Sequence, residues 1–173
     1  MQVHVAKADI TNLPVDAVVL AINSEGTILG DEATPVRDHG GPAIEKAARD
    51  AAPIAIGAAI ITEPGDLPAK HVIHVPIVER PPGASTTEAQ NSSAEEVRRA
   101  ARAALLGAAA RKLPVIAMPA IGTGNAVAEE DVARCIVEEI QAHKREFPQE
   151  IYLVSLRDKM VEEFEYALGG DPS

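Results

Sequence analysis

The chain has 173 residues, 46% of them apolar, with two Tyr, two Phe, no Trp and a formal charge of −10. This length suffices for one domain with an aliphatic core, while the acidic balance and the lack of a Lys/Arg run argue against double-stranded DNA as a partner. A lone cysteine, Cys135, excludes an internal disulfide framework and a cysteine-based zinc site.

No segment approaches the run of about 18 apolar residues that a membrane helix needs, and the opening MQVHVAKADI has neither the charged start nor the apolar stretch of a signal peptide. The expectation is a soluble cytoplasmic protein with no membrane partner. No Ser-His-Asp set or metal-ligand spacing stands out, so neither a metal nor a cofactor is expected. Cys135 falls within a helical pattern and reads as a buried structural thiol.

Residues 3–7 alternate and predict a first strand, followed by a turn at Asp9-Ile10-Thr11-Asn12. Residues 15–22 (VDAVVLAI) form a near-continuous apolar run, as in a strand covered on both faces. Small, polar and Gly residues from 23 to 38 mark a long loop in which Thr34-Pro35 opens a short helix, with Thr34 as its cap. Residues 42–52 predict a helix with Ile44, Ala47 and Ala48 on one face. Two strands at 58–62 and 71–75 are joined through Pro64-Gly65. The linker-like stretch 79–93 lies inside the domain and leads to a helix over 94–112, capped by Ser92 or Ser93 with Glu95 and Glu96 in its first turn. A strand at 115–118, a helix at 127–146, a strand at 151–155 and a helix at 159–168 complete the chain.

Strands alternating with helices imply a centrally parallel sheet with helices packed on both faces. The two most apolar strands, 15–22 and 115–118, belong at its centre. Ligands of such sheets collect beyond the carboxyl ends of the central strands, which directs attention to the loops starting at Asn23 and Pro119. In the second loop, Gly122 and Gly124 allow close backbone approach and Thr123 offers a hydroxyl. The helix after it aims free N–H groups into the loop, an arrangement suited to phosphate or pyrophosphate. It is neither a Walker loop nor the dinucleotide fingerprint. His39, beside Gly40-Gly41, and His74, within HVIHV, are the titratable candidates. His74 reads as a structural strand histidine, and His39 as an exposed loop residue or a general acid–base.

Four segments in order resemble the macrodomain family. Ala8-Asp9-Ile10-Thr11 followed by Val15-Asp16-Ala17-Val18-Val19 and Asn23 is similar to GDIT followed by VDAIVNAAN; residues 67–74 (LPAKHVIH) are similar to LPAKxVIH; and residues 118–124 (MPAIGTG) are similar to FPAISTG. The resemblance implies a three-layer α/β/α fold with a mixed, centrally parallel sheet, as one domain over 1–170 with a tail at 171–173. It implies ADP-ribose or a related nucleotide as ligand, with ADP-ribosylated protein as a further candidate partner. Asp9, with the Ile10 backbone beside it, would take the adenine amino group. Asn23 would take the distal ribose and is the one candidate for catalysis. Ala120, Ile121, Gly122, Thr123, Gly124 and Asn125 would wrap the pyrophosphate and distal ribose.

Three positions depart from the family pattern. The family's GGGVA loop is replaced by Leu29-Gly30-Asp31-Glu32-Ala33, which keeps Gly30 and places two carboxylates near the expected phosphates; each like-charge pair costs on the order of 1 kcal/mol at ~4 Å in water. Leu20 replaces the first asparagine of VNAAN, and Leu156 stands where an aromatic ring often stacks on adenine. Three readings stay open: a macrodomain that binds ADP-ribose, with hydrolysis of ADP-ribosyl conjugates such as O-acetyl-ADP-ribose as a further activity; a non-catalytic macrodomain that reads ADP-ribose, another nucleotide or RNA ends; or a degenerate member that binds something less anionic.

Overall fold

The computed structural model describes residues 1–30, 33–79, 93–122 and 127–169. Six strands form one sheet: β1 (Gln2–Lys7), β2 (Ala17–Asn23), β3 (Ile60–Thr62), β4 (Val72–Val78), β5 (Val115–Met118) and β6 (Glu150–Ser155). Their order is β1-β6-β5-β2-β4-β3, parallel throughout except for the antiparallel β3–β4 edge. As the apolar runs require, β5 and β2 are central. Every β2 side chain is buried because both faces of that strand are covered.

Alternation along β2 divides the interior in two. Ala17, Val19 and Ala21 join one cluster with α3 (Ala94–Ala110), α4 (Glu129–Ala142) and α5 (Asp158–Ala167), which includes Val97, Ile136 and Phe164. Val18, Leu20 and Ile22 face the other way, onto Val36 of α1 (Thr34–Gly40) and onto Ile44 and Ala48 of α2 (Pro42–Ala51). The result is the expected three-layer α/β/α arrangement. Leu20 is thus a core residue of the second layer. Cys135 is buried in the first, and burial pushes its thiol pKa up.

Local chemistry explains most element ends. Ser93 caps α3 by accepting from the Glu96 amide at 3.2 Å, while its hydroxyl donates to the Glu96 carboxylate at 3.0 Å. β4 runs three residues further than expected, through Pro76. β3 pairs only with Val72, Ile73 and His74, so the missing N–H of Pro76 leaves no gap on that side. α1 is capped by Ala33 rather than Thr34, which is the first helical residue. α4 is shorter than the 127–146 expectation. Val127 and Ala128 precede it, and it ends at the extended His143, whose ring contacts the Phe147 carbonyl at 2.8 Å.

The opposite, N-terminal edge of the sheet is fastened by Asp16. Its carboxylate accepts from the Val115 amide at 2.9 Å and pairs with Lys70 at 3.3 Å, and its own amide donates to the Val115 carbonyl at 2.9 Å. The Lys70 amide donates to the Val15 carbonyl, so β2, β4 and β5 start in fixed register.

Candidate functional site

Because β1, β6, β5, β2 and β4 are parallel, their carboxyl ends lie side by side. Asp9, Leu156, the segment 119–122 and Asn23 therefore follow one edge of the sheet in that order. The fold brings together the two loops that the sequence marks out. Thr123, Gly124 and Asn125 lie outside the described residues, as do Asp31, Glu32 and Ser92.

At one end, Asp9 caps a single 3-10 turn over Ile10–Asn12. Its Oδ1 accepts from the Thr11 amide at 2.9 Å and from the Thr11 hydroxyl at 2.6 Å, and these described bonds leave Oδ2 uninvolved. The Thr11 hydroxyl bond holds the carboxyl below its ordinary pKa. Partial burial opposes this, and the Thr11 amide and the His39 charge add to it. Asp9 is therefore a fixed carboxylate, with the buried Ile10 immediately behind it.

In the middle of the edge, β5 runs into Ala120 and Ile121, both buried, and the Ile121 amide donates to the Pro119 carbonyl at 2.9 Å. Gly122 follows with φ of 92°, a left-handed conformation that disfavours side chains. The start of α4 differs from the sequence expectation. Its first turn carries Glu129, Glu130 and Asp131, which complement the helix dipole themselves. Glu129 also pairs with Arg157, tying that turn to the residue after Leu156. Leu156 is 52% exposed, an apolar patch at the rim.

The far wall is built on Asn23, fully buried at the end of β2. Its Oδ1 accepts from the amides of Glu25 and Thr27, each at 3.0 Å, and its backbone amide donates to the Thr27 carbonyl at 2.9 Å. Gly26, at φ of 88°, lies against α2 so closely that an added Cβ would sit 2.6 Å from the Ala48 carbonyl carbon. Further on, Glu45 accepts from the Ile28 amide at 3.0 Å and pairs with Arg37 and Arg49, while Arg37 donates to the Ile28 carbonyl at 3.1 Å. Gly30 closes the loop into α1 by accepting from the Ala33 amide at 3.2 Å.

Sequence reasoning missed the Glu45–Arg37 brace and the Arg157–Glu129 tie. The Glu45–Arg49 spacing of four was readable as a helix pair, but nothing local announces a contact from Glu45 to Ile28. His39 is exposed at the end of α1, within electrostatic reach of Asp9. His74 lies away from the cleft, buried on β4 with Nε2 2.8 Å from the Thr62 hydroxyl, as the structural reading expects. No cluster of potential metal ligands occurs among the described residues, and no described helix is long and apolar enough to cross a membrane.

A three-layer α/β/α fold with these loops at the carboxyl edge of the sheet defines a macrodomain-type protein. A model of the Macro domain family matches residues 19–137. An uncharacterized protein of Aquifex aeolicus is 38% identical over 170 residues, covering 98% of this chain and 99% of the relative. The O-acetyl-ADP-ribose deacetylase of Escherichia fergusonii is 31% identical over 162 residues, covering 88% and 87%. Among solved structures, the Trypanosoma brucei macrodomain in complex with ADP superposes with a TM-score of 0.80 at 17% identity, covering 97% of this chain and 69% of that one. The chain belongs to the macrodomain family.

Proposed function

We propose that the cleft binds ADP-ribose or a closely related nucleotide metabolite. The adenine amino group would donate to Asp9, and the pyrophosphate would lie along the loop that begins at Gly122. The observation that carries this reading is Asp9 itself: its Oδ1 is fixed by Thr11, the carboxyl is held ionised, and Oδ2 takes no part in those bonds. A carboxylate so placed matches an exocyclic amine. Support comes from the ADP bound by the Trypanosoma brucei structure.

A second reading, that the cleft also hydrolyses ADP-ribosyl esters, is favoured by the named activity of the Escherichia fergusonii relative. Asn23 is its candidate residue, but the Asn23 Oδ1 is occupied in holding the 24–27 turn. Any role toward a distal ribose falls to the carboxamide nitrogen. In this reading ADP-ribosylated protein is a substrate alongside the free ester.

Calorimetry with ADP-ribose tests the first reading. Micromolar affinity in the wild type supports it. No heat up to millimolar ligand, with binding restored in Asp31→Gly/Glu32→Gly, replaces it with the degenerate module whose acidic loop rejects phosphate. Turnover of O-acetyl-ADP-ribose tests the second. Asn23→Asp keeps the oxygen that serves Glu25 and Thr27 but replaces the amide nitrogen with an ionisable oxygen at a buried position, so a thermal melt checks that the variant folds. Lost turnover with retained binding assigns Asn23 to the reaction, and unchanged turnover removes it.

A further inference from the structure

At the opposite end of the molecule from the cleft, a cavity of about 330 Å³ opens between α3 and α4. Leu105, Leu106 and Ala142 form its apolar part, and Leu106 is 42% exposed. The carboxylate in its wall, Glu139, is already held by Arg102 through two hydrogen bonds of 2.9 and 3.1 Å. Lys144 and Arg145 stand at its rim.

The charge distribution around this cavity runs against that of the chain. Most described Lys and Arg side chains are in ion pairs. The cations without one among the described residues are Arg99, which donates to the Ile56 carbonyl, and Arg111, Lys112, Lys144 and Arg145. The last four follow the carboxyl ends of α3 and α4. Their two connections are joined where the Pro114 carbonyl accepts from the amides of Gln149 and Glu150 at 2.8 and 3.0 Å. Lys144 also donates to the Gln141 carbonyl at 3.2 Å, a capping role that leaves its charge without a carboxylate. Among the described residues of a protein of net charge −10, four of the five Lys and Arg side chains without an ion pair thus fall in the two connections after α3 and α4, and two of them, Lys144 and Arg145, line the cavity.

We propose that this groove docks an acidic peptide segment carrying an aliphatic side chain. The side chain would seat on Leu105, Leu106 and Ala142, and the flanking carboxylates would face Lys144, Arg145, Arg111 and Lys112. A nucleic acid fits less well. The described lining offers no Phe, Tyr or Trp on which a base could stack, and the acidic bulk of the chain repels a long polyanion.

The test is a methyl and amide NMR titration of the full chain with three probes: a synthetic peptide of one leucine flanked by glutamates, the same peptide with serine for leucine, and a single-stranded RNA oligonucleotide. The leucine peptide is expected to give saturable shifts at Leu105, Leu106 and Ala142. Affinity should fall about tenfold or more in Lys144→Glu/Arg145→Glu and again in Leu106→Glu, with melting temperatures confirming that both variants fold. The serine peptide should bind more weakly. No saturable shift up to millimolar leucine peptide, equal affinity in wild type and both variants, or tighter binding of RNA to the same resonances would each overturn the proposal.

Discussion

Asp16 and Asp9 flank strands at opposite ends of the same sheet, yet the fold uses their carboxylates differently. Asp16 is fully engaged: one oxygen takes the Val115 amide, the other pairs with Lys70, and the group fixes where three strands begin. Asp9 organises only its own turn, through one oxygen, and the described bonds leave Oδ2 for another donor. Open parallel sheets bind ligands beyond the carboxyl ends of their strands, and in this chain the opposite edge holds the starts of β2, β4 and β5 together. Equivalent residue types at the two edges therefore divide into groups committed to the fold and groups available to a ligand.

His74 should give the largest effect among the fold-committed groups. Burial lowers its pKa from 6.5 to about 4, so the folded protein holds the neutral ring while the unfolded chain protonates first. Its stabilising contribution is complete above pH 6.5 and is lost as pH falls toward 4, amounting to about 3 kcal/mol across that window. Asp9, whose folded pKa lies below the ordinary 3.8, acts only under more acid conditions and does not confuse the measurement. Urea denaturation at intervals from pH 7 to pH 4 should show this slope, and His74→Gln should flatten it. An equal slope in both proteins would place the titration elsewhere.

Asp16→Ala should come next, at about 2 kcal/mol, because it leaves the Val115 amide without its side-chain acceptor and Lys70 without a partner. ADP-ribose affinity in the surviving folded fraction should be unchanged. A selective loss of affinity without loss of stability would break the division between the two edges.

Much of this frame was legible in the sequence. The run from Val15 to Ile22 could only be a doubly covered strand, and the Ala-rich stretch after Ser93 could only be a capped helix. Cys135 and His74 were readable as buried structural groups. The turn at Gly122 and the Asp9 cap were legible as local structure: a glycine after a strand, and an aspartate opening a turn. What stayed hidden depends on contacts between distant residues. The Glu45 carboxylate on the Ile28 amide and the Arg157–Glu129 tie have no local signature. The commitment of the Asn23 oxygen to its own turn was hidden too, since a loop asparagine reads the same whether its oxygen serves a ligand or its own backbone.

Asp9→Asn sharpens the comparison from the ligand side. Asparagine caps turns as well as aspartate, so stability should move by less than about 0.5 kcal/mol. ADP-ribose affinity should fall about tenfold, equivalent to ~1.4 kcal/mol, as a charge-assisted bond to the adenine amine becomes a neutral one. Calorimetry and a thermal melt on the same sample separate the two effects. An equal loss of stability and affinity would make Asp9 another fold-committed aspartate.

The smallest effect, and the only expected gain, concerns Leu156. Its side chain is half exposed at the rim, one residue before the Arg157 that ties β6 to the start of α4. Leucine offers an adenine only apolar contact, whereas aromatic stacking on a base contributes roughly 1–3 kcal/mol elsewhere. Leu156→Phe adds a ring at a position with open surface, so it should not strain the core. A gain of about 1 kcal/mol, near fivefold in ADP-ribose affinity, is expected, with ribose 5-phosphate affinity unchanged because that ligand lacks the base. Tightening of both ligands alike would mean that position 156 does not face the adenine, and the Asp9 end of the cleft would need another occupant.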